Sequence, residues 1–280
     1  MARASAATRV AVTGASGFVG RYLCTALAAA GHEVLTLSRT MLNNSPDVAQ
    51  AYALVHLAAI AHRRGVHESE LRKVNSALAV QVGRQAAAAG VPMIFMSSVK
   101  VHGEESLAPF RERSAIAPRD AYARSKAEAE EALRAIEGLK LTVLRPPLVY
   151  GPSVKANFLA LMRAIARGMP LPLAGIENRR SLVYVGNLCD AVLACLGSSG
   201  KTYLVSDGPP LSTPALCEAI GAALGRPARL FRFPAGLIPG KALTGNLEVD
   251  DSAIRRELAW KPPVSFHEGL RLTAAWYRNR

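Results

Sequence analysis

Tyr122 and Lys126 stand four positions apart in a segment that begins at Asp120, and together they can form an acid–base pair. Side chains at positions i and i+4 lie one above the other on the same face of a helix. An ammonium close to a phenol favours the phenolate, so we expect the pKa of Tyr122 to fall toward neutral pH. Such a tyrosine can donate or accept a proton at the oxygen of an alcohol or a ketone.

A glycine-rich turn near the N-terminus forms a second candidate site. Residues 10–12 predict a short buried strand, Gly14, Gly17 and Gly20 follow it, and a helix is expected over about residues 21–30. Glycines at these positions permit a tight turn and let the backbone approach a pyrophosphate. The N-terminus of the helix offers that anion its free N–H groups and positive dipole. The segment therefore predicts a dinucleotide site.

Ser38 and Arg39 end the predicted second strand, which covers residues 34–37. The end of this strand normally meets the adenosine ribose, where an acidic residue accepts the 2′-hydroxyl of NAD. Here a hydroxyl and a guanidinium stand in its place, and a guanidinium suits a 2′-phosphate. This pair favours NADP as the cofactor, with NAD as the alternative.

Predicted strands and helices alternate along the chain. Strands are expected over 54–59, 92–98 and 141–145, and helices over 71–89, from 120 onward with Asp120 capping or leading the helix, and over 213–224 with Gly225 as its stop. This alternation predicts an α/β protein with a Rossmann-like, doubly wound parallel sheet. We expect a dinucleotide-binding domain over residues 1–150. Residues 151–280 are expected to form a smaller, mainly substrate-binding lobe, with a return strand to the sheet near 181–185.

Composition excludes several other classes of protein. The 280 residues carry a formal net charge of +13, which favours anionic ligands, but the basic residues are scattered and no aromatics are interleaved with them. Nucleic-acid binding is therefore not expected. The four cysteines and six histidines show no metal-ligand spacing, and we expect no metal. The N-terminus has no apolar core of signal-peptide length and no run spans a bilayer, so a cytoplasmic protein is expected.

Several motifs together resemble the extended short-chain dehydrogenase/reductase family, in its NAD-dependent epimerase/dehydratase branch. They occur in the family's order over roughly residues 8–270 and comprise the glycine motif, His56–Ala59, Asn75, Ser97-Ser98, Tyr122 with Lys126, Arg145–Pro152 and Arg180–Asn187. Residues 97–104, 180–185 and 204–208 are more closely similar to bacterial nucleotide-sugar 4-ketoreductases of the N-acetylquinovosamine type.

This resemblance implies roles for individual residues. Ser98 would hydrogen-bond the sugar carbonyl, Tyr122 would transfer the proton, and Lys126 would lower the pKa of the tyrosine and hold the nicotinamide ribose. Ser97, in contrast, can simply be a buried hydroxyl at a strand end, and Asn157 a helix cap. The implied substrate-binding residues are Ser98, Lys100, Asn157 and Arg180. The implied cofactor-binding residues are Gly14, Gly17, Phe18, Val19, Gly20, Ser38, Arg39, Leu57, Ala58, Ala59, Tyr122, Lys126 and Pro147.

The implied reaction is NAD(P)-dependent reduction at C4 of a 4-keto-6-deoxy-hexosamine on a nucleotide or lipid diphosphate, by a homodimer. Dehydratases of the family follow the catalytic serine or threonine with Asp-Glu, whereas Val99 and Lys100 stand here, so dehydration is disfavoured. A UDP-hexose 4-epimerase is the alternative, although Leu148 and Ala61 replace an asparagine and a lysine common in epimerases. A non-catalytic NAD(P)-binding regulator is the alternative from another class.

The stretch between Arg39 and Leu54 departs most from the family pattern. Relatives usually have a further strand there that ends in an aspartate near the adenine. The fourteen intervening residues leave little room for such a strand, and Asp47 is poorly spaced for the role. We therefore expect either a sheet without one edge strand or a rearranged loop.

Overall fold

The computed structural model describes residues 8–38, 48–61, 65–105, 107–198, 200–238 and 241–280. Its strands are β1 (Arg9–Thr13), β2 (Glu33–Leu37), β3 (Ala53–His56), β4 (Met93–Met96), β5 (Leu141–Arg145), β6 (Leu148–Tyr150), β7 (Pro170–Leu171), β8 (Leu182–Tyr184), β9 (Thr202–Leu204) and β10 (Arg229–Leu230). Its α-helices are α1 (Phe18–Ala29), α2 (Glu68–Leu71), α3 (Leu78–Ala88), α4 (Ala121–Arg134), α5 (Ala156–Ala166), α6 (Val185–Ala194), α7 (Thr213–Leu224), α8 (Lys241–Thr244), α9 (Ser252–Glu257) and α10 (Phe266–Arg278).

Six strands form the central sheet in the order β2-β1-β3-β4-β5-β9, and all of its pairings are parallel. Alternate residues of a strand point to opposite faces. Val10 and Val12 of β1 accordingly pack into one apolar cluster with Leu23 of α1, while Ala11 packs into a second cluster with Val82 of α3. Helices therefore cover both faces, and the predicted doubly wound α/β fold is confirmed.

The outer edge of β2 is the edge where the sequence predicts a missing strand. In the described ranges no strand pairs with that edge, since β2 pairs only with β1. Residues 39–47, which include Arg39 and Asp47, lie outside the described residues. The expectation of either a missing edge strand or a rearranged loop therefore stays a prediction.

The predicted return strand near 181–185 is wrong in its pairing. Leu182–Tyr184 forms β8, which pairs with β6 in a separate two-stranded sheet. The strand that returns to the central sheet is β9, which pairs with β5. Both are short apolar segments, and only the tertiary pairing distinguishes them. A third small sheet joins β7 to β10. The boundary near residue 150 stays a prediction.

Local signals are confirmed at several helix ends. Ser212 caps α7 by accepting the N–H of Ala215, and Gly225 ends this helix in the left-handed conformation with φ of 71°. Asp120 caps α4, since its Oδ1 accepts the N–H of Ala123 at 2.6 Å. Each of these contacts joins residues close in sequence, which explains why short patterns predicted the cap at Asp120 and the helix end at Gly225.

All four cysteines are free thiols, and three of them are buried. Across the described ranges, no group of three or more histidine, cysteine or acidic side chains is arranged to hold a metal ion. The same ranges contain no helix with the length and apolar character needed to cross a bilayer.

Candidate active site

The glycine turn between β1 and α1 is built so closely that side chains would not fit. A Cβ on Gly14, whose φ is 69°, would lie 2.7 Å from the backbone nitrogen of Ala58. A Cβ on Gly20 would lie 2.2 Å from the carbonyl oxygen of Gly14. Gly17 precedes α1, and no side chain caps the first turn of that helix. The first turn of α1 thus has no side-chain cap, and it lies beside a closely packed glycine turn that suits a pyrophosphate.

Thr13 joins this turn to the segment that follows β3. Its Oγ1 accepts the N–H groups of Leu57 and Ala58, each at 3.2 Å, and contacts Nδ1 of His56 at 3.0 Å. Two segments predicted separately to bind the cofactor are thus brought together at the carboxyl ends of adjacent parallel strands. Ligands of open α/β sheets bind at this edge.

Asn75 extends the connection to α4. It lies in a π-helical turn, Arg72–Ala77, between α2 and α3, and it is fully buried. Its Oδ1 accepts the N–H of Ile60 at 2.7 Å, and its Nδ2 donates to Oγ of Ser125 at 2.9 Å. One amide therefore ties the loop after β3 to the helix that carries the predicted catalytic residues.

Ser98 and Tyr122 meet where β4 and α4 present their ends to this edge. Ser98 begins a 3₁₀ turn, Val99–His102, and its Oγ accepts the N–H of Lys100 at 3.3 Å. Burial, together with the negative charge of Asp120, raises the pKa of Tyr122 to about 12, and only the neighbouring Ser98 side chain opposes this. The expected fall of the tyrosine pKa is therefore reversed in this structure.

The direction of the Lys126 side chain explains the reversal. Its ammonium donates to the carbonyl oxygen of Met96 at 2.8 Å and lies 4.6 Å above the ring of Phe95. Lys126 is 1% exposed, and burial lowers its pKa to about 7, against the opposing charge of Glu130. Lys126 thus lies one turn after Tyr122 on the same face of α4, but its ammonium points to the end of β4 and not to the phenol.

Lys100 is held by two carboxylates beside the site. Its ammonium donates to Oδ2 of Asp120 at 2.7 Å and to Oε1 of Glu104 at 3.3 Å. Burial alone would lower the pKa of Lys100, but these two acceptors outweigh it and raise the pKa. Because Asp120 also caps α4, this ion pair links the turn that begins at Ser98 to the helix that carries Tyr122.

A buried polar network lies beneath the site. Ser97 donates to Oε1 of Glu130, and Arg145 binds the same carboxylate through Nε at 2.9 Å and through a second, shorter contact from Nη2. Nη1 of Arg145 also contacts Nε2 of His102 at 2.9 Å. Burial would raise the pKa of Glu130, but the Arg145 hydrogen bonds hold it below its usual value. The alternative for Ser97, a buried hydroxyl at a strand end, is thus what the structure has.

The remaining predicted site residues lie on several different elements. Nη1 of Arg180 donates to the carbonyl oxygen of Gly245 at 2.9 Å; burial lowers the pKa of this guanidinium, and the charge of Glu104 opposes that shift. Asn157 is exposed as the second residue of α5, and Pro147 is buried between β5 and β6. Phe18 and Val19 begin α1, Ser38 is exposed after β2, and Arg39 lies outside the described residues.

Sequence reasoning missed three residues that shape the site electrostatically. These are Glu104, which faces both Lys100 and Arg180, Asp120, whose charge acts on Tyr122, and Glu130, which neutralises Arg145. A signal existed for Glu130, because positions 122, 126 and 130 fall on one helix face. Lys100 lies only four positions from Glu104, whereas Arg180 comes from a distant segment that no local pattern connects to Glu104.

The NAD dependent epimerase/dehydratase family matches residues 10–206, and the chain belongs to that family. It is therefore an NAD-dependent enzyme of the epimerase/dehydratase type. It is 36% identical over 308 aligned positions to UDP-glucose 4-epimerase from Vibrio cholerae, covering 95% of this chain and 94% of that relative. Since that alignment is longer than 280 residues, the relative has residues that this chain lacks.

Two further similarities place the chain among sugar-modifying enzymes. It is 30% identical over 263 positions to N-acetyl-alpha-D-glucosaminyl-diphospho-ditrans,octacis-undecaprenol 4-epimerase from Escherichia coli O157:H7, covering 82% of this chain and 77% of that relative. It superposes on the UDP-glucose 4-epimerase of Thermus thermophilus, solved in complex with NAD, with a TM-score of 0.78 and 25% identity. That superposition covers 96% of this chain and 99% of the other. The expected family and fold are confirmed.

Proposed function

We propose that this enzyme exchanges a hydride at C4 of a hexose attached to a nucleotide or lipid diphosphate, with Tyr122 moving the proton at the C4 oxygen. The observation that carries the proposal is the placement of Ser98 beside Tyr122 at the carboxyl edge of the sheet, with Lys126 one turn further along the same helix. The names of the relatives support the choice of substrate class.

The chain's own groups would divide the work as follows. Ser98 donates a hydrogen bond to the C4 oxygen and holds it against the phenol, which supplies or removes the proton there. A tyrosine with a pKa of about 12 stays protonated at neutral pH, which suits a proton donor to a newly formed alkoxide. The Lys126 ammonium is held by the carbonyl oxygen of Met96 in this structure, and the family resemblance assigns it to the nicotinamide ribose and to the phenolate once the cofactor is bound.

The residues present fit a nicotinamide dinucleotide. The cradle formed by Gly14, Gly17 and Gly20 excludes side chains, as close contact with a pyrophosphate requires. Residues 57–59 lie beside it and would hold the adjoining part of the cofactor. Such a cofactor supplies the hydride or accepts it.

We place the net reaction as reduction of a 4-keto-6-deoxy-hexosamine. Val99 is 2% exposed and Lys100 is paired with Asp120 and Glu104, so no free carboxylate pair follows Ser98 to eliminate water. Leu148 begins β6 as a partly buried apolar residue, where epimerases often have an asparagine. Both features favour reduction over dehydration and epimerisation.

A 4-epimerase is the second candidate, and the 36% identity to a UDP-glucose 4-epimerase favours it. An epimerase uses the same serine and tyrosine but returns the hydride to the opposite face of the sugar. It consumes no net reductant, because oxidation and reduction occur in one cycle. This difference in stoichiometry gives the deciding measurement.

The test is to follow the nicotinamide absorbance of the purified enzyme with two kinds of substrate. With a UDP-4-keto-6-deoxy-hexosamine, we expect one reduced cofactor to be consumed per product. With UDP-glucose or UDP-N-acetylglucosamine and no added reductant, we expect no conversion by NMR of the sugar. Conversion in the second experiment alone would establish the epimerase. The absence of turnover in both, with cofactor binding by calorimetry, would support a non-catalytic protein.

Cofactor preference is proposed to follow from Ser38 and Arg39, of which the second lies outside the described residues. A charge-assisted contact between an arginine and a 2′-phosphate contributes about 1.5–3 kcal/mol, which corresponds to about tenfold or more in affinity. We therefore expect NADPH to bind at least about tenfold more tightly than NADH in calorimetric titrations. Arg39→Ala should remove the preference without weakening NADH. Equal affinities in the wild type would refute this proposal.

We further propose that the enzyme is cytoplasmic and homodimeric. These two expectations rest on the family resemblance. Light scattering at several protein concentrations tests the dimer, and fractionation of the native host tests the location.

A further inference from the structure

Exposed apolar side chains are concentrated in one part of the second half of the chain. Of the seven large apolar side chains exposed across the described ranges, four are Met169, Phe231, Phe233 and Leu237. They are 42% to 70% exposed, and the rings of Phe231 and Phe233 meet edge to face at 6.5 Å. Scattered single apolar residues are normal on a surface, whereas a cluster of this kind marks an interaction site.

The segments that carry these side chains are neighbours in space. Strand β7, which follows Met169, pairs with β10, so that Pro170 lies opposite Arg229. The N–H of Ala174 donates to the carbonyl oxygen of Phe231 at 3.1 Å. Arg226 donates to the carbonyl oxygen of Ala166, at the end of α5, at 2.8 Å. The end of α5, β7 and β10 therefore form one continuous surface.

Five exposed arginines share this surface with the apolar side chains, namely Arg163, Arg167, Arg226, Arg229 and Arg232. Residues 161–176 and 225–238, which contain them, include no aspartate or glutamate. None of the five forms an ion pair within the described part of the chain. We call the four apolar residues and five arginines together the arginine–apolar surface.

One acidic residue borders the arginine–apolar surface. Glu177 is exposed and lines, with Arg232 and Phe233, a shallow cavity of about 340 Å³. Five guanidinium groups against the Glu177 carboxylate leave this part of the described structure positive. This charge argues against a symmetric contact with a second copy of the chain, since such a contact brings the same patch of both copies together. An anionic partner with an apolar interior fits both features.

We propose that the arginine–apolar surface docks the enzyme onto an anionic phospholipid bilayer. Arginines interact with the phosphates, while Phe231, Phe233, Met169 and Leu237 insert among the headgroups, as amphipathic surfaces of peripheral proteins do. Each basic residue near an anionic bilayer strengthens binding by about fivefold. Docking of this kind goes beyond the proposed reaction and does not depend on it.

The test is flotation of the full-length protein with vesicles at physiological salt, using pure phosphatidylcholine or a mixture with one third phosphatidylglycerol. We expect binding to the anionic vesicles and little to the neutral ones. Replacing three side chains that make no ion pair, by Arg163→Gln, Arg167→Gln and Arg232→Gln, should weaken binding at least about tenfold. Phe233→Ser with Leu237→Ser should weaken it at least about fivefold, by removing apolar insertion.

A matched variant distinguishes binding by the arginine–apolar surface from binding driven by the net charge of the whole protein. Arg84→Gln, Arg113→Gln and Arg256→Gln remove the same number of exposed charges elsewhere, and we expect vesicle binding within about twofold of the wild type, because screening confines the attraction to about 8 Å. An equal loss in this variant would overturn the proposal, as would wild-type protein that does not float with anionic vesicles.

Turnover of a water-soluble nucleotide sugar provides the second readout. All three variants are expected to keep wild-type turnover and melting temperature. If the arginine or apolar variant lost turnover while remaining folded, the surface would belong to the substrate site and the proposal would fail. Binding to a single-stranded oligonucleotide that exceeds binding to anionic vesicles would equally overturn it.

Discussion

Ser97 and Ser98 are adjacent at the end of β4, yet their hydroxyls lie in two different environments. Ser97 is 2% exposed and donates to Glu130 in the buried network with Arg145. Ser98 is partly exposed at the carboxyl edge of the sheet and lies beside Tyr122. Successive residues of an extended chain point to opposite sides, which sends one hydroxyl inward and the other to the crevice.

The two environments differ in the hydrogen-bonding capacity that they leave for a ligand. Within the described residues, the buried side-chain atoms without a hydrogen-bond partner belong to Arg9, His56 and Gln85, so the network around Glu130 is fully satisfied. Around Ser98, the tyrosine and serine are partly exposed and can hydrogen-bond a substrate. A saturated network stabilises the fold, whereas reactive groups must keep hydrogen-bonding capacity for the substrate.

The largest expected effect is a loss of turnover, and it comes from the environment of Ser98 and Tyr122. Tyr122→Phe should lower kcat by about 10²- to 10⁴-fold, because the phenol is the group proposed to move the proton. The melting temperature should hardly change. Tyr52→Phe, which removes the hydroxyl of a tyrosine 47% exposed at the far end of the sheet, is the control and should keep normal turnover. Normal turnover by purified Tyr122→Phe would end the assignment.

The next effect is a loss of stability, and it comes from the buried network around Glu130. Glu130→Gln should lower the free energy of unfolding by about 3–5 kcal/mol, because Arg145, 4% exposed, would keep a buried charge without its counter-ion. Urea denaturation measures this change. Glu128→Gln on the same helix removes an exposed partner of Arg72 and should cost less than about 1 kcal/mol. Equal losses in the two variants would contradict the comparison.

Replacing each of the two serines separately by alanine tests directly whether their hydroxyls have different roles. Ser97→Ala should lower the free energy of unfolding by about 1–3 kcal/mol, since an acceptor of Glu130 loses its donor, and should leave kcat nearly unchanged. Ser98→Ala should lower kcat by about 10²-fold with little change in stability. Each variant is the control for the other. The same pattern of losses in both would show that the two hydroxyls are not divided in this way.

A further expected effect concerns the dependence of stability on pH. Burial lowers the pKa of Lys126 from 10.5 to about 7, so between these values the unfolded chain binds a proton that the folded chain does not. Stability from this group is therefore present above pH 10.5 and is lost as the pH falls through about 7. Lys126→Met should remove that dependence.

The pH prediction is checked by urea denaturation of wild type and Lys126→Met at about pH 7 and about pH 9.5. The difference in unfolding free energy should move in favour of the wild type at the higher pH. Lys140→Met, which removes an exposed lysine, is the matched control. A difference that stays constant, or moves in the opposite direction, would show that Lys126 is charged throughout the range.

The sequence alone determined the features that depend on short spacing. The glycine turn, the cap at Asp120, the end of α7 at Gly225 and the placement of Tyr122 and Lys126 on one helix face were all predicted, because each involves residues within a few positions of one another. The motif order also identified the family, since several local motifs in sequence are specific when combined.

Only the tertiary structure decided which partner each polar group takes. Ser97 and Glu130 are 33 residues apart, and Lys100 and Asp120 are 20 apart. The direction of the Lys126 ammonium toward Met96, and with it the raised pKa of Tyr122, follows from the packing of α4 against β4. The pairing of β9 rather than β8 with the sheet has the same origin. Burial and long-range charge set these outcomes, and neither is encoded in the spacing of neighbouring residues.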